Sequence, residues 1–338
     1  MTKRVTIEDV ARASHVSVAT VSLVMRGRTG INIETRKRVE QVARALGYQR
    51  RKARSEHHVQ RISVLMRHHQ ASLNEMSPLY AGVLSGIEDV CRRRGIRNDL
   101  RHMMMNDQSM LTNPILFPQQ YEYGGVIGVG VRVDEYLYKH VHEHSMPFVL
   151  VDVDGIEGHL VDAVSVRFQH AMDDMINYLV SMGHRMIALI DEPHASLHWQ
   201  QSLRASMANY GMAEPVVLVA HPTFMSVHEV VQQMMMDPQI SAVICRNDEL
   251  ARMVIAQLHT LGRYVPQHIS VVGCNDLSSS VDEVSTLTTV RVDASALGVL
   301  AVQTLLHRIE WPNSPLLQTT IQADLVIRQS TQPRALYT

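Results

Sequence analysis

Few side chains in this 338-residue chain stand at a spacing that could do covalent or metal chemistry. His140-Val141-His142-Glu143-His144 puts His140 and His144 at i, i+4, where two imidazoles on one helix face can hold zinc. No third ligand follows at a convincing spacing, so the segment is read as a solvated helix face and no metal or other cofactor is expected. The sequence holds no glycine-rich phosphate loop, G-x-S-x-G elbow or zinc-hydrolase motif, which leaves an enzyme reading without residues to carry it. Cys91, Cys245 and Cys274 form no C-x-x-C pair, as expected of buried reduced thiols. The triplets Met103–Met105 and Met234–Met236 suit adaptable core better than copper ligation.

The chemistry that remains is that of binding. The formal net charge of −1 conceals +9 on residues 1–61 and −10 on residues 62–338. A basic module of about 60 residues on an acidic body is the electrostatic footprint of a small nucleic-acid-binding head on a larger domain. At roughly 100–200 residues per domain the length allows two or three domains, enough to bury full cores. No apolar run approaches the roughly 18 residues of a membrane span, and the N-terminus lacks an apolar secretion signal. Cytoplasmic localisation is therefore expected.

The elements that must position the head's side chains can be placed from caps and periodicity. Thr6-Ile7-Glu8-Asp9 is an N-cap followed by an acid three residues on, and Ile7, Val10 and Ala11 recur at helical spacing up to Ala13-Ser14-His15. After a tight turn at Val16, Ser17 caps a short helix over residues 18–25 with Val21 and Val24 on its inner face. Asn32 caps a third helix, Ile33 to Leu46, whose apolar stripe is Val39, Val42, Ala43 and Leu46 and whose stop is Gly47. Two short helices about three residues apart form a helix-turn-helix, whose second helix can enter the major groove.

Val5-Thr6-Ile7-Glu8-Asp9-Val10-Ala11, Val16-Ser17-Val18-Ala19-Thr20-Val21-Ser22 and Thr35-Arg36 through Leu46-Gly47-Tyr48 together resemble the head of the lac repressor (LacI/GalR) family. The resemblance implies that Val18, Ala19 and Leu23 reach base edges. All three are apolar, and the arginine frequent in relatives at the third place is absent, so readout is expected to lean on thymine methyls and fit. Thr6, Ser17, Thr20, Ser22 and Thr35, with Arg26 and Arg28, suit phosphate contacts that set register. The linker Gln49 to His58 is polar and basic. Where relatives fold a hinge helix and wedge a leucine into the minor groove, this chain places Arg51, Lys52 and Arg54 for phosphates and His57 at the leucine's position, which implies weak kinking.

From Arg61 onward, β-branched runs alternate with helical patterns, the sign of parallel α/β architecture. Strands are predicted at 62–66, 126–129, 148–152, 163–166, 187–190, 216–220, 242–245 and 269–273, with helices at 79–94, 171–182, 229–236 and 250–261. The segment Asn98 to Tyr123 matches no element. Stretches such as Cys245-Arg246-Asn247-Asp248-Glu249 and Leu325-Val326-Ile327-Arg328-Gln329-Ser330-Thr331 resemble the family's periplasmic-binding-protein-like core, which implies two lobes and a ligand cleft at the carboxyl ends of strands. His68 and His69 after the first strand, Asp152 and Asp154, Asp191 and Glu192, Asn247-Asp248 and Asn275-Asp276 are the strand-end candidates. Family correspondence adds Tyr80 and Phe224, and places Trp199 where relatives carry an effector-gripping arginine; an indole there could stack on a sugar face or close the cleft.

The expectation is an N-terminal all-α helix-turn-helix head, residues 1–49, a hinge linker, 50–61, and a two-lobed α/β effector-binding and dimerisation core, 62–338. Its function is that of a transcriptional regulator, a repressor of a catabolic or sugar-related operon. It binds a palindromic double-stranded operator as a homodimer, tuned by a small-molecule effector of neutral, carbohydrate type, and it is neither an enzyme nor a membrane protein. An activator or effector-independent DNA-binding protein, and a sugar-binding protein or enzyme on the same core, are the alternatives.

Overall fold

The computed structural model describes residues 6–25, 31–46, 59–69, 78–105, 124–131, 135–143, 145–152, 161–193, 197–276 and 286–334. The chain divides into two compact units between His58 and Val59.

The head unit contains α1 (Ile7–Ser14), α2 (Val18–Met25) and α3 (Ile33–Ala45). Each begins where a short polar side chain satisfies a helix-start amide. Thr6 Oγ1 accepts from the Asp9 amide at 3.3 Å while the Asp9 carboxylate accepts from the Thr6 amide at 2.9 Å. Ser17 Oγ accepts from the Thr20 amide at 3.1 Å, and Asn32 Oδ1 from the Glu34 amide at 3.0 Å. α1 stops at His15, which turns left-handed at φ 52° and sends its N–H back to the carbonyls of Ala11 and Arg12. Val10, Ala11, Val21, Val24, Val39 and Ala43 form the head's core, with Val16, Ile31 and Val42 packed against it. Leu46 departs from the expected stripe: α3 ends at Ala45, and Leu46 is 39% exposed. Gly47 lies outside the described residues.

The second unit is built on two six-stranded sheets. Its elements are β1 (Arg61–His69), α4 (Pro78–Arg94), β2 (Arg97–Met105), β3 (Val126–Val129), α5 (Glu135–Glu143), β4 (Phe148–Asp152), β5 (Asp162–Arg167), α6 (Gln169–Ser181), β6 (Met186–Asp191), α7 (Leu197–Asn209), β7 (Val216–Val219), α8 (Phe224–Met235), β8 (Ile240–Cys245), α9 (Asp248–Thr260), β9 (Ser270–Asn275), β10 (Thr288–Arg291), α10 (Ala294–Glu310), β11 (Gln318–Gln322) and β12 (Asp324–Val326). The sheet orders are β11-β5-β4-β3-β1-β2 and β12-β10-β9-β8-β6-β7. Every pairing is parallel except β10 with β12. Buried on both faces, these strands are near-continuous apolar runs such as Val126–Val129 and Ile240–Cys245.

Three short crossovers join the sheets, and their positions decide where a ligand can lie. The chain leaves the first sheet at the carboxyl end of β5, passes Phe168 and enters α6, which packs on α7 and β12 of the second lobe. It returns from the carboxyl end of β10 through Val292 and Asp293 into α10, which packs on α4, β4 and β5. Finally it leaves the carboxyl end of β11 at Ala323 and enters β12, whose Asp324 stands opposite Arg291, again at a carboxyl edge. The carboxyl edges of both sheets therefore face each other across Phe168, Val292 and Ala323, all buried. A crevice outside strand carboxyl ends is where open α/β sheets place ligands.

Several sequence expectations need correction. His68 and His69 do not follow the first strand but end it, because β1 extends to pair in register with β2, His68 opposite Met104 and His69 opposite Met105. The unassigned segment thus opens with an edge strand, β2; residues 106–123 lie outside the described residues. α8 starts at Phe224 and not at Glu229, since Thr223 Oγ1 caps it by accepting from the Ser226 amide. The long helix α10 docks on α4 so closely that a Cβ on Gly298 would stand 2.0 Å from the Val83 carbonyl oxygen, and one on Gly86 would stand 2.1 Å from that of Ser295. Only glycine allows that backbone approach.

Candidate nucleic-acid interface and effector cleft

On α2, Val21 and Val24 are buried in the head's core while Val18 is 44% and Leu23 37% exposed. A short helix therefore turns two large apolar side chains to solvent, opposite its packed stripe. The side chains of Ala19 and Ser22 are not described, and Arg26, Arg28 and the hinge residues Arg51, Lys52, Arg54 and His57 lie outside the described residues.

Among the hydroxyls expected on phosphates, Ser17 Oγ and Thr20 Oγ1 stand 2.8 Å apart at the start of α2. One O–H of the pair serves the other oxygen, so the second is left to donate outward beside the helix N-terminus, a geometry suited to a phosphate oxygen. Thr35 is half-buried in the first turn of α3. Thr6 is different: its hydroxyl donates to Asp9 Oδ2 at 2.8 Å and its amide to the same oxygen at 2.9 Å, so both donors are spent on the capping box beside a carboxylate that repels phosphate. In the chain without DNA, Thr6 is the cap of α1.

In the core unit, the second sheet's carboxyl edge carries a connected polar wall. Asp191, the last residue of β6, is wholly buried; Oδ1 accepts from the Glu192 amide at 2.8 Å and Oδ2 from Gln200 Nε2 on α7 at 2.6 Å. Arg246 follows β8, with Nε 3.7 Å from Asp191 Oδ1 and its guanidinium carbon 5.0 Å from the centre of the Trp199 ring. Asn247 caps α9 by accepting from the Leu250 amide at 2.8 Å and donates Nδ2 to Glu192 Oε1 at 2.6 Å. Burial pushes the Glu192 carboxyl above the usual range; the Asn247 hydrogen bond and the Arg246 charge pull it back, and Asp191 adds to the rise.

Trp199 is 1% exposed, a core side chain covered by Arg246, and not an open face for a sugar. Its Nε1 has no hydrogen-bond partner among the described residues. Phe224, by contrast, is solvent-exposed at the start of α8, stacked on His228 at 6.2 Å with rings 4° from parallel. Asn275 ends β9 and Asp276 follows it, with φ of 102° and 52°, a bend that few non-glycine residues adopt. Asp276 does not present a free carboxylate to the crevice: Oδ2 accepts from Arg291 Nε and Oδ1 from Arg328 Nη2, each at 2.6 Å. Burial pushes its carboxyl up, but these two guanidiniums outweigh that and hold it below the usual range. On the first sheet, Tyr80 of α4 packs its hydroxyl end against Gly130, just beyond β3. Asp152 ends β4; its side chain and those of His68 and His69 are not described.

The sequence reading names Glu192 and Asn247 separately, each at the end of its own strand; the structure joins them by a hydrogen bond and adds Arg246 and Gln200, which that reading did not single out, to the same wall. The signal for Arg246 is a cation directly after a fully apolar strand, Ile240–Cys245, where a parallel sheet meets its crevice. For Gln200 no local signal exists, since its partner lies on β6.

Residues 6–51 match the family described as bacterial regulatory proteins, lacI family, and residues 176–331 match the periplasmic binding protein-like domain. The HTH-type transcriptional regulator MalR of Streptomyces coelicolor is 28% identical over 96% of this chain and 96% of its own length. Two solved structures share the fold. A transcriptional regulator CelR–cellobiose complex aligns with TM-score 0.66 and 21% identity over 97% of this chain and 100% of that one. The lac repressor dimer bound to operator and the anti-inducer ONPF aligns with TM-score 0.65 and 20% identity over 98% and 100%.

Proposed function

We propose that this chain, whose residues 6–51 match the lacI family of bacterial regulatory proteins and whose relatives are HTH-type transcriptional regulators, is a repressor of a sugar-related operon, binding a near-palindromic operator as a homodimer. In this reading residues 1–49 are the DNA-binding head, 50–61 the hinge and 62–338 the effector-binding and dimerisation core. Val18, Ala19 and Leu23 meet base edges, and Thr6, Ser17, Thr20, Ser22, Arg26, Arg28 and Thr35 meet phosphates. Arg51, Lys52, Arg54 and His57 form the hinge.

The observation that carries the reading is the division of α2: Val21 and Val24 complete the head's core, and Val18 and Leu23 face solvent where a major groove would lie. Apolar readers favour thymine methyls. Two heads related by a two-fold axis reach half-sites about one DNA turn apart. An effector held between the facing carboxyl edges, with Asn247 and Glu192 on one wall and Tyr80 across from it, changes DNA affinity only through its different affinity for two lobe arrangements. The cellobiose held by the CelR relative supports a carbohydrate for that role.

The test is selection of bound fragments from genomic DNA of the source organism by the full chain at two salt concentrations. A palindromic motif enriched at both, with binding that weakens steeply with salt, is expected. Sequence-blind retention would overturn the reading.

A further inference from the structure

We infer that the core unit carries a DNA-contacting surface of its own, in which Arg94 and Arg97, with Arg92 and Arg93 beside them, hold backbone phosphates of the duplex bound by the head. The inference rests on the DNA-binding reading above and adds a second, sequence-blind contact to it.

The stretch from Glu88 to Arg101 holds five arginines against three acids, in a body, residues 62–338, whose net charge is −10. α4 ends in Arg92, Arg93 and Arg94, and all three are exposed. A helix carboxyl end favours cations within its last turn, but that effect does not reach Arg97, which opens β2. The turn between them is fixed. Gly95, at φ 66°, donates its amide to the Arg92 carbonyl at 3.3 Å, and Ile96 donates to the Cys91 carbonyl at 2.9 Å with its side chain buried. The arginines therefore stand on an anchored corner.

Pairing inside this corner leaves positive charge over. Arg92 and Arg93 share the one carboxylate of Asp89, and their side chains remain 80% and 66% exposed. Asp99 is engaged by Arg61 at 2.6 Å. Arg94 and Arg97 are exposed and make no ion pair among the described residues. Glu88, also exposed, is the remaining acid. Planar guanidiniums with donors turned to solvent suit phosphate oxygens.

Place decides the partner. The Arg97 amide donates to the Gln60 carbonyl at 2.9 Å, and Arg97 stands opposite Arg61, the first residue of β1. This is the amino edge of the first sheet, where the linker delivers the chain into the core unit at Val59. A duplex bound by the head is thus tied by the linker to a positively charged edge of an otherwise acidic unit. The effector crevice lies at the opposite, carboxyl ends of the same strands, so the two surfaces are separate. Phosphate contacts of this kind add affinity and salt dependence without reading sequence.

The test compares the full chain with Arg94→Gln/Arg97→Gln on two duplexes of equal length, one carrying the selected operator and one of random sequence. Each phosphate contact adds about 0.9 to the slope of log affinity against log salt, so the double variant should lower that slope by about 1.8 on both duplexes. Its deficit should be at least about tenfold near 50 mM salt and shrink about tenfold by 200 mM, with the melting temperature unchanged. Arg263→Gln/Arg334→Gln, which removes the same charge from exposed sites on the second lobe, should leave the slope as it is. Asp89→Asn, which releases Arg92 and Arg93, should tighten binding to both duplexes. An unchanged slope in the first double variant, an equal fall in the second, or binding no tighter in Asp89→Asn would overturn the inference. So would dissociation of the dimer by the first double variant in sedimentation, which would assign the corner to subunit contact. The random duplex is read whether or not genomic selection returns a palindrome. A lowered slope there with no palindrome keeps this inference and removes the operator reading, and a palindrome with an unchanged slope does the reverse.

Discussion

Arg308→Met should be the most destabilising single change at the foot of the first lobe. Arg308 lies on α10 with its side chain 12% exposed, and its partner Asp162, at the start of β5, is 1% exposed. The pair is bidentate, Nε to Oδ2 at 2.5 Å and Nη2 to Oδ1 at 2.7 Å. The same guanidinium donates to the carbonyls of Pro312 at 3.2 Å, Ser314 at 2.7 Å and Pro315 at 2.8 Å, and Asp162 Oδ1 also accepts from the Leu317 amide at 2.8 Å. One ion pair thus ties the turn leaving α10 to the strand beside which β11 is laid. Removing the cation leaves a buried carboxylate uncompensated, which costs about 3–5 kcal/mol. For a body of this size each kcal/mol is worth about 2–4 °C, so the main melting transition should fall by roughly 6–20 °C. Scanning calorimetry of the full chain measures it, with Asp162→Asn and the double variant completing a mutant cycle. The double variant should be less destabilised than the sum of the singles, since it no longer buries an unpaired charge. A fall of under about 2 °C for Arg308→Met, or strict additivity, would refute the claim that charge compensation holds this corner.

Three further outcomes follow from the same contacts. Leu23→Arg should change base preference within each half-site while moving the melting free energy by no more than about 0.5 kcal/mol, because Leu23 packs outside the core; an unchanged operator profile would show that it does not face bases. Gly298→Ala should destabilise the core unit by at least about 1–3 kcal/mol in denaturant titration, since its Cβ meets the Val83 backbone oxygen at 2.0 Å and backbone cannot turn aside. Asp276 has a folded pKa held below the ordinary value of about 3.9, so its contribution is complete above that value and is lost as pH falls through the lower folded one. Asp276→Asn should therefore lower stability at neutral pH and flatten the acid limb of a melting-temperature profile, and an acid limb as steep as that of the unaltered chain would show that Arg291 and Arg328 do not stabilise the carboxylate.

What sequence alone determines here is what local chemistry determines. The capping box at Thr6 and Asp9, the cap at Ser17 and the stripe of Val39 and Ala43 act within four residues, so the three head helices are legible to within a residue or so. Apolar β-branched runs identify the buried parallel strands for the same reason: each is a property of five or six consecutive side chains. β2 escapes because Arg97, Asn98, Asp99 and Arg101 break the apolar run, and only its pairing along the full length of β1 makes it a strand. The cleft is legible as a set of strand ends and no further. Whether Trp199 is a wall or a core residue, whether Asp276 is offered to a ligand or held by Arg291 and Arg328, and whether Arg246 meets Asp191 are decided by groups 15 to 55 residues apart in the chain. No periodicity encodes such meetings. They arise when three crossovers turn two carboxyl edges toward each other, and the burial that follows fixes which charges are paired with which.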